Sequence, residues 1–240
     1  MSSFYLRVYG RLPEFLKRRI NPLDYAIEDF VKTAAAAHPG QKVLDAGAGE
    51  ARFAAHFTEH FYVSADACVG DARWDYSRIQ LVADLAALPL QEGAVDAVLN
   101  IQVLEHVKNP ALVVTELHRV LKPGGRLYLT APQGWAEHQQ PHDFYRFTRF
   151  ALNDLLVQAG FKEVKIEPFG GYFHYLGHRL THVPKVLFPA LPPALRVLLF
   201  PLELATLALF CVALPVGCYY LDSFDGTREF TLGYRCLARK

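Results

Sequence analysis

A glycine-rich turn near residue 47 has the residue types of a small-ligand site. The apolar run 43–46 leads into Gly47 and Gly49, and a helix is predicted to follow over residues 51–60. Glycine accepts positive φ angles and lets a ligand approach the backbone closely. A helix that begins behind such a turn offers free N–H groups to an anion. A tight turn without a ligand has the same appearance, so the other strand ends decide between the two interpretations.

Two acidic residues follow the second and third predicted strands. Asp66 lies 19 positions after Gly47, a spacing at which a carboxylate can accept hydrogen bonds from both hydroxyls of a ribose. Asp84 could accept a hydrogen bond from an adenine amino group while Leu85 packs on the ring. For either carboxylate alone, the alternative is an ordinary solvated surface residue.

The fourth predicted strand is followed by residues 100–107, which end in Glu105, His106 and Val107. In sheets of parallel strands, ligands bind beyond the carboxyl ends of the strands. One ligand-like residue after a strand arises easily by coincidence, but four consecutive strand ends with such residues do not. The pattern therefore predicts one nucleotide-like ligand at this edge.

The elements that must position these residues alternate between strand and helix, which favours a mostly parallel sheet covered on both faces. The predicted strands are residues 42–46, 61–66, 79–82, 95–99, 126–131, 162–167 and 230–239. The predicted helices are residues 22–37, 51–60 and 110–121, and one that Thr148 caps and Gly160 ends.

As a set, these motifs resemble the class I S-adenosylmethionine-dependent methyltransferases, in the broad subgroup of ubiquinone and menaquinone biosynthesis methyltransferases. The resemblance covers roughly residues 23–160 and the closing strand 230–239. The motifs that carry it are residues 43–49, Asp66, Asp84 with 88–90, 95–98, 104–107, Glu116 and 119–127. Ala51 stands where a third glycine is usual.

The resemblance implies an α/β, three-layer, Rossmann-like fold. Its seven-stranded sheet would be mostly parallel with an antiparallel last strand, which an apolar helical insertion precedes. The implied cofactor is S-adenosyl-L-methionine. The residues implied to bind it are Asp45, Gly47, Gly49, Asp66, Asp84, Leu85, Asn100 and His106. Asp45, Gly47 and Gly49 would surround its methionine and adenosyl part. Asp66 would hold the ribose, and Asp84 and Leu85 would hold the adenine. Asn100 and His106 would lie beside the methionine and the sulfonium.

Two other functions compete with methyl transfer. A dinucleotide-dependent dehydrogenase also uses a strand, a glycine turn and a helix, but bulky Arg52 disfavours the close helix packing that it needs. Asp45 also suits a cationic sulfonium better than a pyrophosphate. A non-catalytic cofactor-binding or scaffold protein is the second alternative, although a scaffold would not need the polar loop 133–148.

The loop after the fifth predicted strand, residues 131–148, is rich in histidine, acidic and aromatic residues, and long loops of this kind are often functional. The candidate catalytic residues are His142, His138, His106 and Tyr145. The histidines would serve as the general base, in that order of preference, and Tyr145 would position a small-molecule or lipid-like acceptor with Arg146. In the alternative, Asp143 and Arg146 form a structural pair and Phe147 fills the core.

No metal site is predicted. His174, His178 and His182 are spaced to share a helix face, but Gly177 and Pro184 weaken that helix and no acid stands at ligand spacing. The net charge of +1 gives no reason to expect a nucleic acid as partner. Four cysteines without paired spacing fit a cytoplasmic protein with reduced thiols.

Residues 186–221 are almost uncharged and contain several prolines. A single membrane span is disfavoured, because strand 230–239 would then be separated from its sheet. Three interpretations stay open: burial within the monomer, a homodimer interface, or peripheral contact with the inner membrane surface. The predicted domain organisation is one methyltransferase domain over residues 1–240, with a helical N-terminal extension (1–38) and the apolar helical insertion (186–221).

Overall fold

The computed structural model describes residues 9–71, 73–189 and 192–240. They form two compact units. The sheet unit comprises Ile27–Phe169 and Gly233–Lys240, and the helical unit comprises Met1–Ala26 and Gly170–Leu232. The domain boundaries expected from the sequence stay a prediction.

The sheet unit contains a seven-stranded sheet of order β3-β2-β1-β4-β5-β7-β6. The strands are β1 (Lys42–Ala46), β2 (Phe61–Asp66), β3 (Leu81–Val82), β4 (Val95–Ile101), β5 (Leu121–Pro132), β6 (Lys162–Pro168) and β7 (Gly233–Arg239). Only β7 runs antiparallel to its neighbours β5 and β6 among these strands. The predicted fold class is confirmed, including the apolar helices before the last strand.

The described helices are α1 (Glu14–Ile20), α2 (Pro22–Ala37), α3 (Pro110–Val120), α4 (Arg149–Gln158), α5 (Tyr172–Leu180), α6 (Val183–Leu187), α7 (Pro193–Ala208) and α8 (Leu214–Leu221). Side-chain caps begin two of them, since Asn109 accepts the N–H of Leu112 and Thr148 accepts the N–H of Ala151. Gly160, at φ 97°, follows the end of α4 as expected.

The core of the sheet unit lies where the central strands meet α3 and α4. Leu44 on β1, Val98 on β4 and Leu127 on β5 are fully buried, as is Leu117 on α3. Burying one such side chain contributes about 1.5–3 kcal/mol. These contacts hold the carboxyl ends of β1 and β4 side by side, and therefore fix the positions of the residues that follow them.

The helix predicted over residues 51–60 is absent from the structure, where turns and a short 3-10 helix (Ala54–His56) stand instead. The backbone of Ala51 has φ 53°, in the left-handed region, and an α-helix cannot continue through that conformation. Phe57 is nevertheless buried and stacks on Tyr62 with ring centroids 5.5 Å apart. The glycine-rich turn is thus followed by irregular backbone rather than by a long helix.

The helical unit is organised around the buried carboxylate of Asp222. This carboxylate accepts hydrogen bonds from the backbone N–H groups of Gly171 and His174, at the start of α5. Arg19 on α1 donates to the Tyr220 hydroxyl on α8 (2.6 Å). A π-helical turn (Leu209–Ala213) joins α7 and α8 into one continuous helical stretch.

Candidate active site

The glycine-rich turn after β1 has the backbone conformation that its residues predict. Gly47 and Gly49 have φ angles of 87° and 55°. A Cβ atom at Gly47 would overlap the side chain of Val103. The N–H groups of Gly47 and Ala48 donate to the carbonyl of Ala65 on β2 (2.8 and 3.1 Å). Glycine is therefore required at position 47 by both torsion angle and space.

Asp66 at the end of β2 is bound to this turn. The N–H of Gly49 donates to Asp66 Oδ2 (2.9 Å), and the N–H of Cys68 donates to Oδ1 (2.7 Å). A carboxylate oxygen accepts more than one hydrogen bond, so both oxygens keep acceptor capacity. The two backbone bonds hold the carboxylate at the rim of the turn, where the sequence places a ribose.

Asp45, the last polar residue before the turn, is buried. Its carboxylate accepts a hydrogen bond from the Tyr62 hydroxyl (2.5 Å). Burial raises the pKa of Asp45 to about 6, and the hydrogen bond from Tyr62 opposes part of that rise. A cationic group bound nearby would favour the ionised form of this carboxylate.

Asn100 at the end of β4 supplies an unused acceptor. Its side chain is fully buried, and its Nδ2 donates to the carbonyl of Ala46 (2.9 Å). Its Oδ1 is buried and accepts no hydrogen bond from the described residues. Because a buried polar atom without a partner is costly, this oxygen fits a donor group of a bound ligand.

Asp84 and Leu85 follow β3 in different environments. Asp84 is exposed, and its Oδ1 accepts the N–H of Ala86 (2.9 Å). Leu85 is buried in the core of the sheet unit. The structure therefore shows a short turn after β3, and the contact of these two residues with an adenine stays a prediction.

Glu105, His106 and His138 form a cluster, the Glu-His-His cluster, beyond the end of β4. One donor atom from each side chain lies within 4.8 Å of the others. Glu105 is fully buried, and neither of its carboxylate oxygens has a hydrogen-bond partner among the described residues. Burial raises the pKa of Glu105 to about 8. A buried, unpaired carboxyl of this kind is typical of functional sites.

His106 is held in one tautomer by the loop after β5. Its Nδ1 lies 2.5 Å from the carbonyl oxygen of His142. A carbonyl oxygen only accepts, so Nδ1 carries the hydrogen and Nε2 of the neutral ring carries a lone pair. This Nε2 is buried, without a hydrogen-bond partner in the described structure, and lies 3.8 Å from Glu105 Oε1. Burial lowers the pKa of His106, which favours the neutral ring.

His138 is oriented in the same way. Its Nδ1 lies 3.1 Å from the carbonyl oxygen of Ala136 and 3.4 Å from Asp143 Oδ2. Both neighbours are acceptors, so the hydrogen again resides on Nδ1. The His106 and His138 rings meet edge to face with centroids 4.6 Å apart. The cluster thus presents two imidazoles whose Nε2 atoms can accept a proton.

The remaining loop residues hold this arrangement. Asp143 accepts two hydrogen bonds from Arg146 (2.7 and 2.8 Å), which lower the pKa of Asp143 to about 2. The Tyr145 hydroxyl donates to the carbonyl of Lys108 (2.9 Å). Phe147 is buried in the core. The ion pair of Asp143 and Arg146 is thus the structural pairing that the sequence left as an alternative. His142 takes part through its carbonyl oxygen, which accepts the hydrogen bond from Nδ1 of His106.

Residues 44–129 match the family model described as a methyltransferase domain. This segment runs from β1 into β5 and contains the glycine-rich turn, Asp66, Asn100 and the first two residues of the Glu-His-His cluster. Over this segment, which the sheet unit contains, the chain resembles a methyltransferase domain. The resemblance to the S-adenosylmethionine-dependent methyltransferases, expected from the motifs, is confirmed.

Relatives of this methyltransferase domain carry matching names. A probable S-adenosylmethionine-dependent methyltransferase of Mycolicibacterium smegmatis is 33% identical over 150 residues, which are 58% of this chain and 57% of that protein. A ubiquinone biosynthesis O-methyltransferase of Xanthomonas campestris is 37% identical over 116 residues, 42% of this chain and 47% of the relative. The chain therefore spans about half the length of these curated relatives.

Solved structures share the fold of the methyltransferase domain. A SAM-dependent methyltransferase from Archaeoglobus fulgidus superposes with a TM-score of 0.54 at 15% identity, over 88% of this chain and 94% of the other. At that identity the likeness concerns the fold alone.

Two features of the methyltransferase domain were not predicted from the sequence. Tyr62 binds Asp45 across neighbouring strands, a contact that depends on the register of β1 and β2. Glu105 was expected only as part of a motif, not as a buried carboxyl between two histidines. The position of Glu105 directly before His106 and after an apolar strand was the sequence feature that could have indicated its burial.

The histidines of the helical unit do not form a comparable cluster among the described residues. His174 and His178 lie on α5, and His182 follows it. The tertiary structure places Asp222 beside His174, with an Nδ1 to Oδ2 distance of 3.3 Å, which the sequence spacing did not reveal. The Glu-His-His cluster has the donor set of a divalent-cation site, and the expected absence of a metal stays a prediction.

Proposed function

We propose that this protein transfers a methyl group from S-adenosylmethionine to the hydroxyl group of a small-molecule or lipid-like acceptor. The observation that carries this proposal is His106, whose Nδ1–H is held by the His142 carbonyl while its Nε2 is buried without a partner in the described structure. A hydroxyl needs a general base as its oxygen attacks the methyl carbon. An imidazole held with its lone pair towards the site supplies that base.

The strand-end residues fit S-adenosylmethionine. Gly47 and Gly49 leave room for a ligand beside the backbone, Asp66 offers acceptors to ribose hydroxyls, and Asn100 offers an unused acceptor. Asp45 adds negative charge for the cationic sulfonium. When bound, the cofactor supplies an electrophilic methyl group.

The proposed roles of the protein groups in the transfer are proximity, orientation and proton removal. Holding the acceptor oxygen in line with the methyl carbon is itself a large part of the acceleration. When bound, the cofactor would supply the methyl group to the acceptor oxygen and its sulfur would keep the electron pair, while Nε2 of His106 would accept the proton that the hydroxyl loses. Glu105 and His138 line the same cluster and would stabilise the imidazolium that results.

The direct test combines cofactor binding with product detection. Calorimetry should show binding of S-adenosylmethionine and of its demethylated product. Mass spectrometry of cell extract incubated with the protein and methyl-labelled cofactor should show a labelled ether. No heat at millimolar cofactor would contradict the proposal. Binding without any labelled product would favour the non-catalytic alternative, and a labelled amine would contradict the hydroxyl acceptor.

Replacement of Asp66 by alanine should weaken cofactor binding by about 1–3 kcal/mol, about 5- to 150-fold in Kd. The carboxylate would lose its bonds to the ribose, and the Gly49 N–H would lose its acceptor. Calorimetry measures the change. Asp75→Ala is the matched control, because Asp75 is an exposed acid in the connection between β2 and β3 whose carboxylate bonds to Ser77. Equal affinities for the two variants would remove the ribose role of Asp66.

The helical unit supports an acceptor of lipid character and a location at the inner membrane surface. Several of its large apolar side chains are exposed, among them Val186, Leu198 and Phe224. Among the described residues, one helical stretch, Val197–Phe224, is long and apolar enough to cross a membrane by length and composition. A homodimer that covers the same side chains is the competing explanation.

A further inference from the structure

The helix α7 is exposed on more than one side. Val197 is 77% exposed and Leu198 is 73% exposed. At about 100° per residue, Leu198 and Leu202 lie on one side of the helix, whereas Val197 and Leu204 lie on another. A surface helix of a water-soluble domain has one apolar face, whereas α7 exposes apolar side chains on two sides and carries Glu203 on a third. In an apolar 18-residue window of the stretch Val197–Phe224, 11% of the residues are buried.

The opposite end of the stretch is packed. Cys211, Pro215, Cys218 and Asp222 are buried at spacings of about one helical turn. A Cβ added to Gly177 on α5 would lie 3.1 Å from the Cβ of Cys218, so α5 and α8 are in close contact. Six exposed large apolar side chains lie on α7 itself, at residues 195, 197, 198, 200, 202 and 204.

The connections of the helical unit exclude a single crossing of a bilayer. The chain leaves the sheet unit after Phe169 and returns at Gly233. Strands β6 and β7 pair antiparallel, with Pro168 opposite Tyr234. Both ends of the inserted segment thus belong to one sheet and lie on one side of any membrane. Although α7 and α8 form one continuous stretch, α8 packs against α5, and the 16 residues of α7 by themselves span about 24 Å, less than the ~30 Å hydrocarbon core.

Aromatic and basic side chains adjoin the packed end of this stretch. Arg19 of α1 lies over the rings of Tyr219 and Tyr220, at 5.6 and 5.3 Å from their centroids. Phe15, also on α1, is 61% exposed. Residues 1–26 and 170–232 together hold nine Lys and Arg but six Asp and Glu. Aromatic and basic residues are favoured at the headgroup level, and a net positive charge is attracted to anionic lipids.

We propose that α7 inserts into one leaflet of an anionic phospholipid bilayer without crossing it, with α1 at the level of the headgroups. The apolar sides of α7 would contact the lipid tails, and the basic residues of the helical unit would be attracted to the anionic headgroups. This inference deepens the proposed function, on which it rests for the lipid-like character of the acceptor.

Flotation of the full chain with vesicles tests the proposal. We expect wild-type protein to float with vesicles of phosphatidylcholine containing one third phosphatidylglycerol, and much less with phosphatidylcholine alone. The double variant Leu198→Glu, Leu202→Glu should reduce the bound fraction by at least about tenfold, because two carboxylates would have to enter the hydrocarbon. Both side chains are exposed, so the substitution leaves no cavity.

Leu112→Glu with Val157→Glu is the matched control. Both positions are exposed apolar residues on helices of the sheet unit, at 54% each, close to the 57% of Leu202. This control should float like the wild type. Loss of flotation in both double variants, or equal flotation on neutral and anionic vesicles, would overturn the proposal.

Two further outcomes separate the competing ideas. Light scattering of wild-type protein without vesicles should show a monomer. A dimer that the Leu198 and Leu202 substitutions dissociate, with no flotation, would assign the surface to a second copy of the chain and overturn the proposal. Calorimetry with S-adenosylmethionine is measured on every variant. Absent cofactor binding with intact flotation would mark failure of the proposed function alone, and normal binding with absent flotation would mark failure of the membrane inference alone.

Discussion

Replacement of His106 by alanine should lower kcat by about 10²- to 10⁴-fold, the range that a positioned general base contributes. The acceptor hydroxyl would lose the group that removes its proton. The Kd of S-adenosylmethionine, measured by calorimetry, should change much less than kcat, measured with methyl-labelled cofactor. A large decrease in kcat with little change in the Kd of the cofactor would distinguish loss of the base from loss of the cofactor site.

Variants at the other two histidines complete this test. His142→Ala should retain most activity, because the contribution of His142 to the cluster is its backbone carbonyl, which alanine keeps. His138→Ala should give an intermediate loss, since its ring adjoins His106. A larger loss at His142 than at His106 would restore the order of preference that the sequence suggested.

The pH profile of the wild type provides a second readout. Burial lowers the pKa of His106 below the ordinary 6.5, and the base must be neutral to accept a proton. The acid limb of kcat/KM should therefore lie below pH 6.5, with the His106 ring mostly neutral at pH 7. Activity that a chelator abolishes and a divalent cation restores would instead show that the Glu-His-His cluster holds a metal.

Replacement of Glu105 by glutamine should stabilise the protein at pH 8.5 by about 2–4 kcal/mol while lowering its activity. The pKa of Glu105 is raised by burial from the ordinary 4.5 to about 8. Each unit of pKa difference between the folded and unfolded states corresponds to about 1.4 kcal/mol. The buried amide of glutamine, which also lacks partners, offsets part of the gain.

The sign of the Glu105 effect follows from proton linkage. Between pH 4.5 and about 8 the unfolded chain has lost the Glu105 proton and the folded protein has kept it, so stability falls as the pH rises. Below pH 4.5 this penalty vanishes in the wild type, and the stabilisation by glutamine should vanish with it. Urea unfolding followed by circular dichroism at pH 4 and pH 8.5 measures both quantities.

Glu116→Gln is the matched control for this experiment. Glu116 bonds to Arg119 (2.7 Å), and this hydrogen bond lowers the pKa of Glu116. Its contribution to stability is present above the unfolded pKa and is lost as the pH falls, so glutamine should destabilise at pH 8.5 and have less effect at pH 4. Destabilisation by Glu105→Gln at pH 8.5 would show that the Glu105 carboxyl has partners in solution.

Local sequence was sufficient for the fold class and for the backbone conformation of the glycine-rich turn. The apolar runs, the caps at Asn109 and Thr148, and the glycines at 47 and 49 act within a few residues of themselves. Their effects on φ angles and helix ends can therefore be predicted without the rest of the chain. The exception is the helix expected over residues 51–60, because nothing in the local pattern shows that Ala51 adopts φ 53°.

The Glu-His-His cluster was decided by the tertiary structure. Glu105 and His138 are separated by 33 positions in the chain, and only the packing of the loop after β5 against the end of β4 brings them together. Burial and hydrogen-bond partners, which determine the tautomer of His106 and the pKa of Glu105, depend on that packing. By itself, the sequence indicated the cofactor, S-adenosylmethionine, through the family that its motifs resemble. Which histidine joins the cluster beside Glu105 depends on contacts between distant residues, which spacing along the chain cannot reveal.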